Sequence, residues 1–160
     1  MITFSAVAEG GFQLRCEQYF AKAKEELFPF FADASNLERI TPPTLRFSIV
    51  TPLPIEMAEG TLIEYALSLY RVPMRWRSEI SRWNPPHAFV DEQRKGPYRY
   101  WHHLHAFEPV PGGTKMTDLV HYDHLGGSII HSLFIKPNLT HIFSYRQERL
   151  RELFPELLNA

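Results

Sequence analysis

Alternation of apolar and polar positions runs through most of this chain. In FQLRCEQYF, Phe12, Leu14 and Cys16 fall on one side and Gln13, Arg15 and Glu17 on the other, which is the pattern of a half-buried strand. From residue 21 to about residue 39 the period lengthens, with Leu27, Phe30 and Phe31 as an apolar stripe interrupted by Pro29 and then by the polar run from Asp33 to Asn36. Proline can begin a helix but breaks a continuing one, so two short helices are expected here. From Leu45 onward, six further alternating segments are separated by turn residues: Pro52; Val72 and Pro73; Asn84, Pro85 and Pro86; Gly96 and Pro97; Pro111, Gly112 and Gly113. Connections this short predict an antiparallel meander, because parallel pairs need crossovers of about a dozen residues or more. After Gly126 and Gly127 the helical period returns. Leu139, Ile142, Phe143, Arg146, Leu150 and Leu153 line one stripe, Gln147, Glu148, Arg151 and Glu152 lie opposite, and Pro137 falls near the expected start. The expected order is strand, two short helices, six strands and a long C-terminal helix.

Composition narrows this picture. With 160 residues, 44% of them hydrophobic, the chain suits one domain spanning residues 1–160. Seventeen Lys and Arg against eighteen Asp and Glu leave a net charge of −1. With no block of like charge, nucleic acid is not an expected partner. Cys16 is the single cysteine and has no internal disulfide partner, and the N-terminal residues lack a secretory pattern, so a cytoplasmic location is expected. The most apolar run, SIIHSLFI, is far shorter than the roughly 20 residues that span a bilayer. The chain shows no Ser or Cys nucleophile beside a base and no phosphate loop.

The run FADASNLERITPP, the segments PLPIEM and GTLIEY, the block NPPHAFVDEQRKGPYRYWHHLHAF, the turn GGTKMTD and the late IFSYR resemble bacterial proteins of the SRPBCC superfamily, also called Bet v 1-like or START-like. The resemblance covers nearly the whole chain. It implies an α+β helix-grip fold: a curved, seven-stranded antiparallel sheet around the C-terminal helix, with a ligand cavity between them. That scaffold carries many functions, so function rests on the site itself.

Strand parity then selects candidate residues. With Trp101 and Phe107 inward, His103 and His105 point the same way and His102 points out. On neighbouring segments Trp76, Ser78 and Ile80 face in; Phe89 carries Asp91 and Gln93 with it; Met116, Val120 and Tyr122 carry Asp118. Ile142, Phe143 and Arg146 approach from the helix. Tyr98, Tyr100 and His121 are expected on the outer face. Buried carboxylates need partners, and Arg146 and the two histidines are available.

Two readings of these polar groups stay open: a network that satisfies itself, or one that orients a bound molecule. The expected function is binding of a hydrophobic or aromatic small molecule, as a carrier or sensor. One alternative is a cyclase/dehydrase-like enzyme with His103 or His105 as general base beside Asp91 or Asp118. Another is an interaction module with a collapsed cavity. An H-x-H pair can chelate zinc if Asp91 or Asp118 supplies a third ligand. The family resembled requires no metal, and neither metal nor cofactor is expected.

Overall fold

The computed structural model describes residues 1–8 and 10–157. Its elements are β1 (Ile2–Ala6), β2 (Phe12–Phe20), α1 (Lys24–Ala32), 3-10 turns at Ala34–Ile40 and Pro43–Leu45, β3 (Ser48–Ile49), β4 (Leu62–Leu69), β5 (Val72–Asn84), β6 (Ala88–Lys95), β7 (Tyr100–Val110), β8 (Gly113–Asp123), α2 (Gly127–Ile130), a π-helical turn (His131–Ile135) and α3 (Lys136–Leu153). One sheet runs in the order β1-β2-β8-β7-β6-β5-β4-β3, and each neighbouring pair is antiparallel.

The sheet has eight strands where seven were expected. The additional strand is β1, which pairs with β2 from Ile2 opposite Cys16 to Ala6 opposite Phe12. It is an edge strand of five residues, and only its alternate positions Ile2 and Phe4 turn toward the interior, too short a pattern to stand out.

The helical segment after β2 also differs from expectation. Pro29 lies inside α1 and does not divide it. Its missing N–H would have served the carbonyl of Glu25, in the first turn of the helix, where solvent can satisfy that oxygen. The break comes at Asp33, whose carboxylate accepts from the Ser35 N–H at 2.9 Å and starts the 3-10 turn. Phe31, Ala34, Leu37 and Ile40 then recur every third residue, the 3-10 period, and all four face the interior cavity.

The C-terminal helix begins earlier than its apolar stripe indicates. Gly126, at φ 100°, caps the entry to α2, and the chain stays helical from Gly127 to Leu153. The widened π turn ends at Ile135, two residues before Pro137, which cannot donate to the preceding turn. No helix among the described residues is long and apolar enough to cross a membrane.

α3 lies against the concave face of the sheet through buried Leu139, Phe143, Arg146, Gln147 and Leu150. Gln18 Nε2 donates to the Gln147 carbonyl at 3.1 Å, and Gln147 Nε2 donates to the Glu17 carbonyl at 3.3 Å. These reciprocal bonds fix the helix axially against β2. At one end the space between helix and sheet is filled by Phe20, Leu27, Phe28, Phe107, Met116 and Leu150. The Phe28 and Phe107 rings meet edge to face at 5.4 Å.

Candidate functional site

His103 and His105 share one face of β7, as their parity requires, and both are buried. The flanking strands bring a carboxylate to each side of the pair. Asp91 of β6 sits opposite His103, and Asp118 of β8 sits opposite His105. Both acids also reach diagonally. Asp91 Oδ2 lies 2.8 Å from His105 Nε2 and 3.5 Å from His103 Nδ1. Asp118 Oδ1 lies 2.9 Å from His103 Nε2 and 3.0 Å from His105 Nδ1. Two imidazoles, with ring centroids 3.8 Å apart, are therefore held between two carboxylates. Phe89 stacks on the other face of His105 at 4.2 Å.

α3 completes the group with Arg146. Its Nη2 lies 3.3 Å from Asp118 Oδ1 and 3.4 Å from His105 Nδ1, and its guanidinium stands 5.7 Å from the Phe31 ring centroid. Arg146 Nε is buried without a hydrogen-bond partner.

These contacts set the charges. Burial alone would raise the pKa of Asp118, but Arg146 and the two histidines hold it well below the usual carboxylate value. Asp91 is lowered in the same way: burial opposes, and His103, His105 and Arg146 prevail. Burial also disfavours a charged His105, yet its hydrogen bonds to Asp118 and Asp91 outweigh that and raise its pKa. For His103, burial and the neighbouring His105 together lower it despite Asp118. These directions favour ionised Asp91 and Asp118 and a proton held on His105 in preference to His103.

Above this group lies a cavity of about 210 Å³. Asp91, His103, His105 and Arg146 line one side of it, and Trp76, Phe89, Trp101, Ile142 and Phe143 form much of its apolar wall. Asp91 keeps a side-chain exposure of 20%, against 3% for Asp118, so Asp91 is the acid presented to the cavity and Asp118 the one behind the rings.

The remaining three candidates lie off the cavity. Phe107 belongs to the packed end beside Phe28 and Phe31. Tyr122 is buried against Trp101 and Tyr98, and its hydroxyl lies 2.8 Å from His131 Nε2. Gln93 closes the turn after β6: its amide donates to the Tyr98 carbonyl at 2.7 Å, and its Oε1 accepts from the Tyr98 N–H at 3.2 Å.

That turn carries Tyr98 inward, contrary to its expected outer position. Tyr98 packs on Trp101 at 4.8 Å and Trp76 at 5.7 Å and lines the cavity. It precedes the first residue of β7, so strand parity does not govern it. His121 is on the outer face as expected, bonded to Gln13 at 2.9 Å, and Tyr100 is exposed. Tyr65, Leu139 and the 3-10 turn also contribute to the cavity wall; the three-residue spacing from Phe31 to Ile40 is the sequence signal for the last of these. Buried Cys16 has its thiol pKa pushed up to about 12, chiefly by burial and then by Asp118. It is an unreactive core residue.

No protein-family model and no curated protein matches this sequence. Solved structures match its fold. Protein Ms6760 from Mycobacterium smegmatis aligns with a TM-score of 0.66 at 16% identity, covering 96% of this chain and 97% of that one. Major latex-like protein 151 from Panax ginseng aligns at 0.65 and 11% identity, covering 89% and 96%. Ara h 8.0201 aligns at 0.59 and 15% identity, covering 87% and 97%. The architecture is thus the Bet v 1-like helix-grip fold that the SRPBCC resemblance implies.

Proposed function

We propose that this helix-grip chain binds a small, largely apolar or aromatic molecule between α3 and the sheet, oriented by Asp91, His103, His105 and Arg146. The observation that carries this reading is the placement of a mutually hydrogen-bonded polar group on one side of an otherwise apolar cavity. Ligand sites are typically apolar with a few convergent polar groups. At about 210 Å³ the cavity is smaller than the roughly 300–1,000 Å³ of common ligand pockets, which favours a compact ligand. A network serving stability alone would need no room above it.

The geometry supports orientation better than proton transfer. Every ring nitrogen of His103 and His105 lies within 3.5 Å of a carboxylate, an arrangement that favours holding the rings in place over carrying a proton to and from a ligand.

The test is binding of the apolar fluorophore anilinonaphthalene sulfonate, compared between the folded wild-type protein and Leu67→Trp. Leu67 lines the cavity from β4, and the larger indole would occupy the space. One dye per chain in the wild type and at least about 10-fold weaker binding in the variant are expected; equal binding by both would place the dye elsewhere and overturn the reading.

A further inference from the structure

The two imidazoles divide their nitrogens between the carboxylates in a specific way. His103 Nε2 and His105 Nδ1 turn toward Asp118, while His103 Nδ1 and His105 Nε2 turn toward Asp91. Asp118, fixed by Arg146 and the more deeply buried acid, accepts the hydrogen bonds on its side. His103 Nε2 lies 2.9 Å from Asp118 Oδ1, whereas His103 Nδ1 stands 3.5 Å from Asp91 Oδ2, the longest of the four contacts and the one least committed to a hydrogen bond.

The distances suit a metal. One donor atom from each of Asp91, His103 and His105 lies within 4.8 Å of the others. Donors bound tetrahedrally at about 2.1 Å stand roughly 3.4 Å apart, so Asp91 would turn away from His105 Nε2, now 2.8 Å off, and the widest donor separation, up to 4.8 Å, would close through rotation of the rings. Metal-ligating histidines usually give their second ring nitrogen to a carboxylate that fixes the tautomer, and Asp118 holds both of those nitrogens here. Arg146 approaches His105 on the Nδ1 side, away from Nε2, and its charge is offset by Asp118.

We propose that His103 Nδ1, His105 Nε2 and Asp91 Oδ2 form a site for one divalent first-row transition-metal ion, which displaces to solvent the proton between His105 Nε2 and Asp91, with Asp118 as the carboxylate that orients both rings. Two imidazoles and one carboxylate select zinc, cobalt(II) or iron(II) over magnesium, which prefers oxygen ligands and octahedral geometry. Three protein donors leave coordination positions open, and those positions face the cavity, where an oxygen atom of a ligand would complete the shell. Metal binding itself needs no organic ligand, so it stands or falls separately from the cavity reading.

The experiment is zinc titration by calorimetry on chelator-treated protein, with native mass spectrometry to count ions. Wild type should bind one zinc ion and no magnesium. His103→Gln and Asp91→Asn should each weaken zinc binding by about 100-fold or more, and Asp118→Asn by about 10–100-fold. The His102→Gln/His121→Gln double variant removes the neighbouring imidazole pair on the outer face, 6.2 Å apart, and should bind as wild type does. Should the buried variants fail to fold, cobalt(II) added to that outer-face double variant remains decisive: the visible bands of a four- or five-coordinate ion are expected, and the spectrum of hydrated cobalt would overturn the proposal. Absence of zinc binding, or zinc binding retained in His103→Gln and lost in the outer-face variant, would likewise overturn it.

Discussion

Phe107 and His105 stand two residues apart on the same face of β7, yet the interior around each is held together differently. Around Phe107 the rings of Phe28 and Phe31 meet at 5.4 and 5.1 Å, and contact of shape with shape is the cohesive force. Around His105 the contacts are specific polar pairings among two carboxylates, one guanidinium and two imidazoles. Apolar packing tolerates exchange between groups of similar volume, whereas a buried charged group tolerates no missing member. A fold needs only the first kind of interior. The second kind, set beside open volume, is why we assign the proposed function to the polar centre.

The largest expected effect comes from removing charge without changing shape. Asp118→Asn leaves Arg146 and His105 without their central counter-charge and should lower unfolding free energy by about 3–5 kcal/mol in denaturant titration. A near-wild-type midpoint would mean that the polar centre is no more demanding than the packed end. Phe107→Leu, a change of shape with no charge, should cost no more than about 1.5 kcal/mol in the same measurement.

The third prediction concerns pH and applies to metal-free protein. His105 has a folded pKa above its ordinary 6.5, so its contribution to stability is complete below that value and is lost as pH rises through the folded pKa. His103, lowered by burial, acts in the window below 6.5, where acid favours the unfolded chain. Asp91 and Asp118 contribute above the ordinary carboxylate value and lose that contribution as pH falls through their lowered pKa values. Wild-type stability should therefore decline on the alkaline side of 6.5 with a slope of up to about 1.4 kcal/mol per pH unit, and His105→Gln should abolish that decline. An unchanged alkaline slope in the variant would show that His105 is not the charged ring.

The smallest effect belongs to the surface. Arg15 and Glu17, paired at 2.6 Å but 43% and 28% exposed, should lose no more than about 0.5 kcal/mol in Arg15→Gln.

Much of this arrangement was legible along the chain because strand parity carries spatial information. Once Trp101 and Phe107 are inward, His103 and His105 must be, and Asp91, Asp118 and Arg146 follow from their own strands and helix. Parity cannot tell which inward residue borders open space, so Phe107 and Tyr122 read like Trp101 although one fills the packed end and the other supports His131. It also fails beyond strand ends: Gln93 and Tyr98 are governed by the turn between β6 and β7. Pro29 read as a break because propensity weighs the residue type, not its place in the first turns of α1, where the lost bond costs little. The H-x-H spacing by itself is too common to imply a metal; what makes it informative is the division of four ring nitrogens between two acids, visible only in three dimensions.

The most direct test of the binding account is nuclear magnetic resonance of the folded protein during titration with anilinonaphthalene sulfonate. The Trp76 indole N–H, which donates to Ser78 Oγ at 3.0 Å in the cavity wall, is a built-in reporter. Shifts at that indole and at the amides of Tyr98, Trp101 and Phe143 are predicted. Shifts confined to the exposed apolar residues Ile129, Leu133 and Phe134, with the Trp76 indole unmoved, would contradict the account.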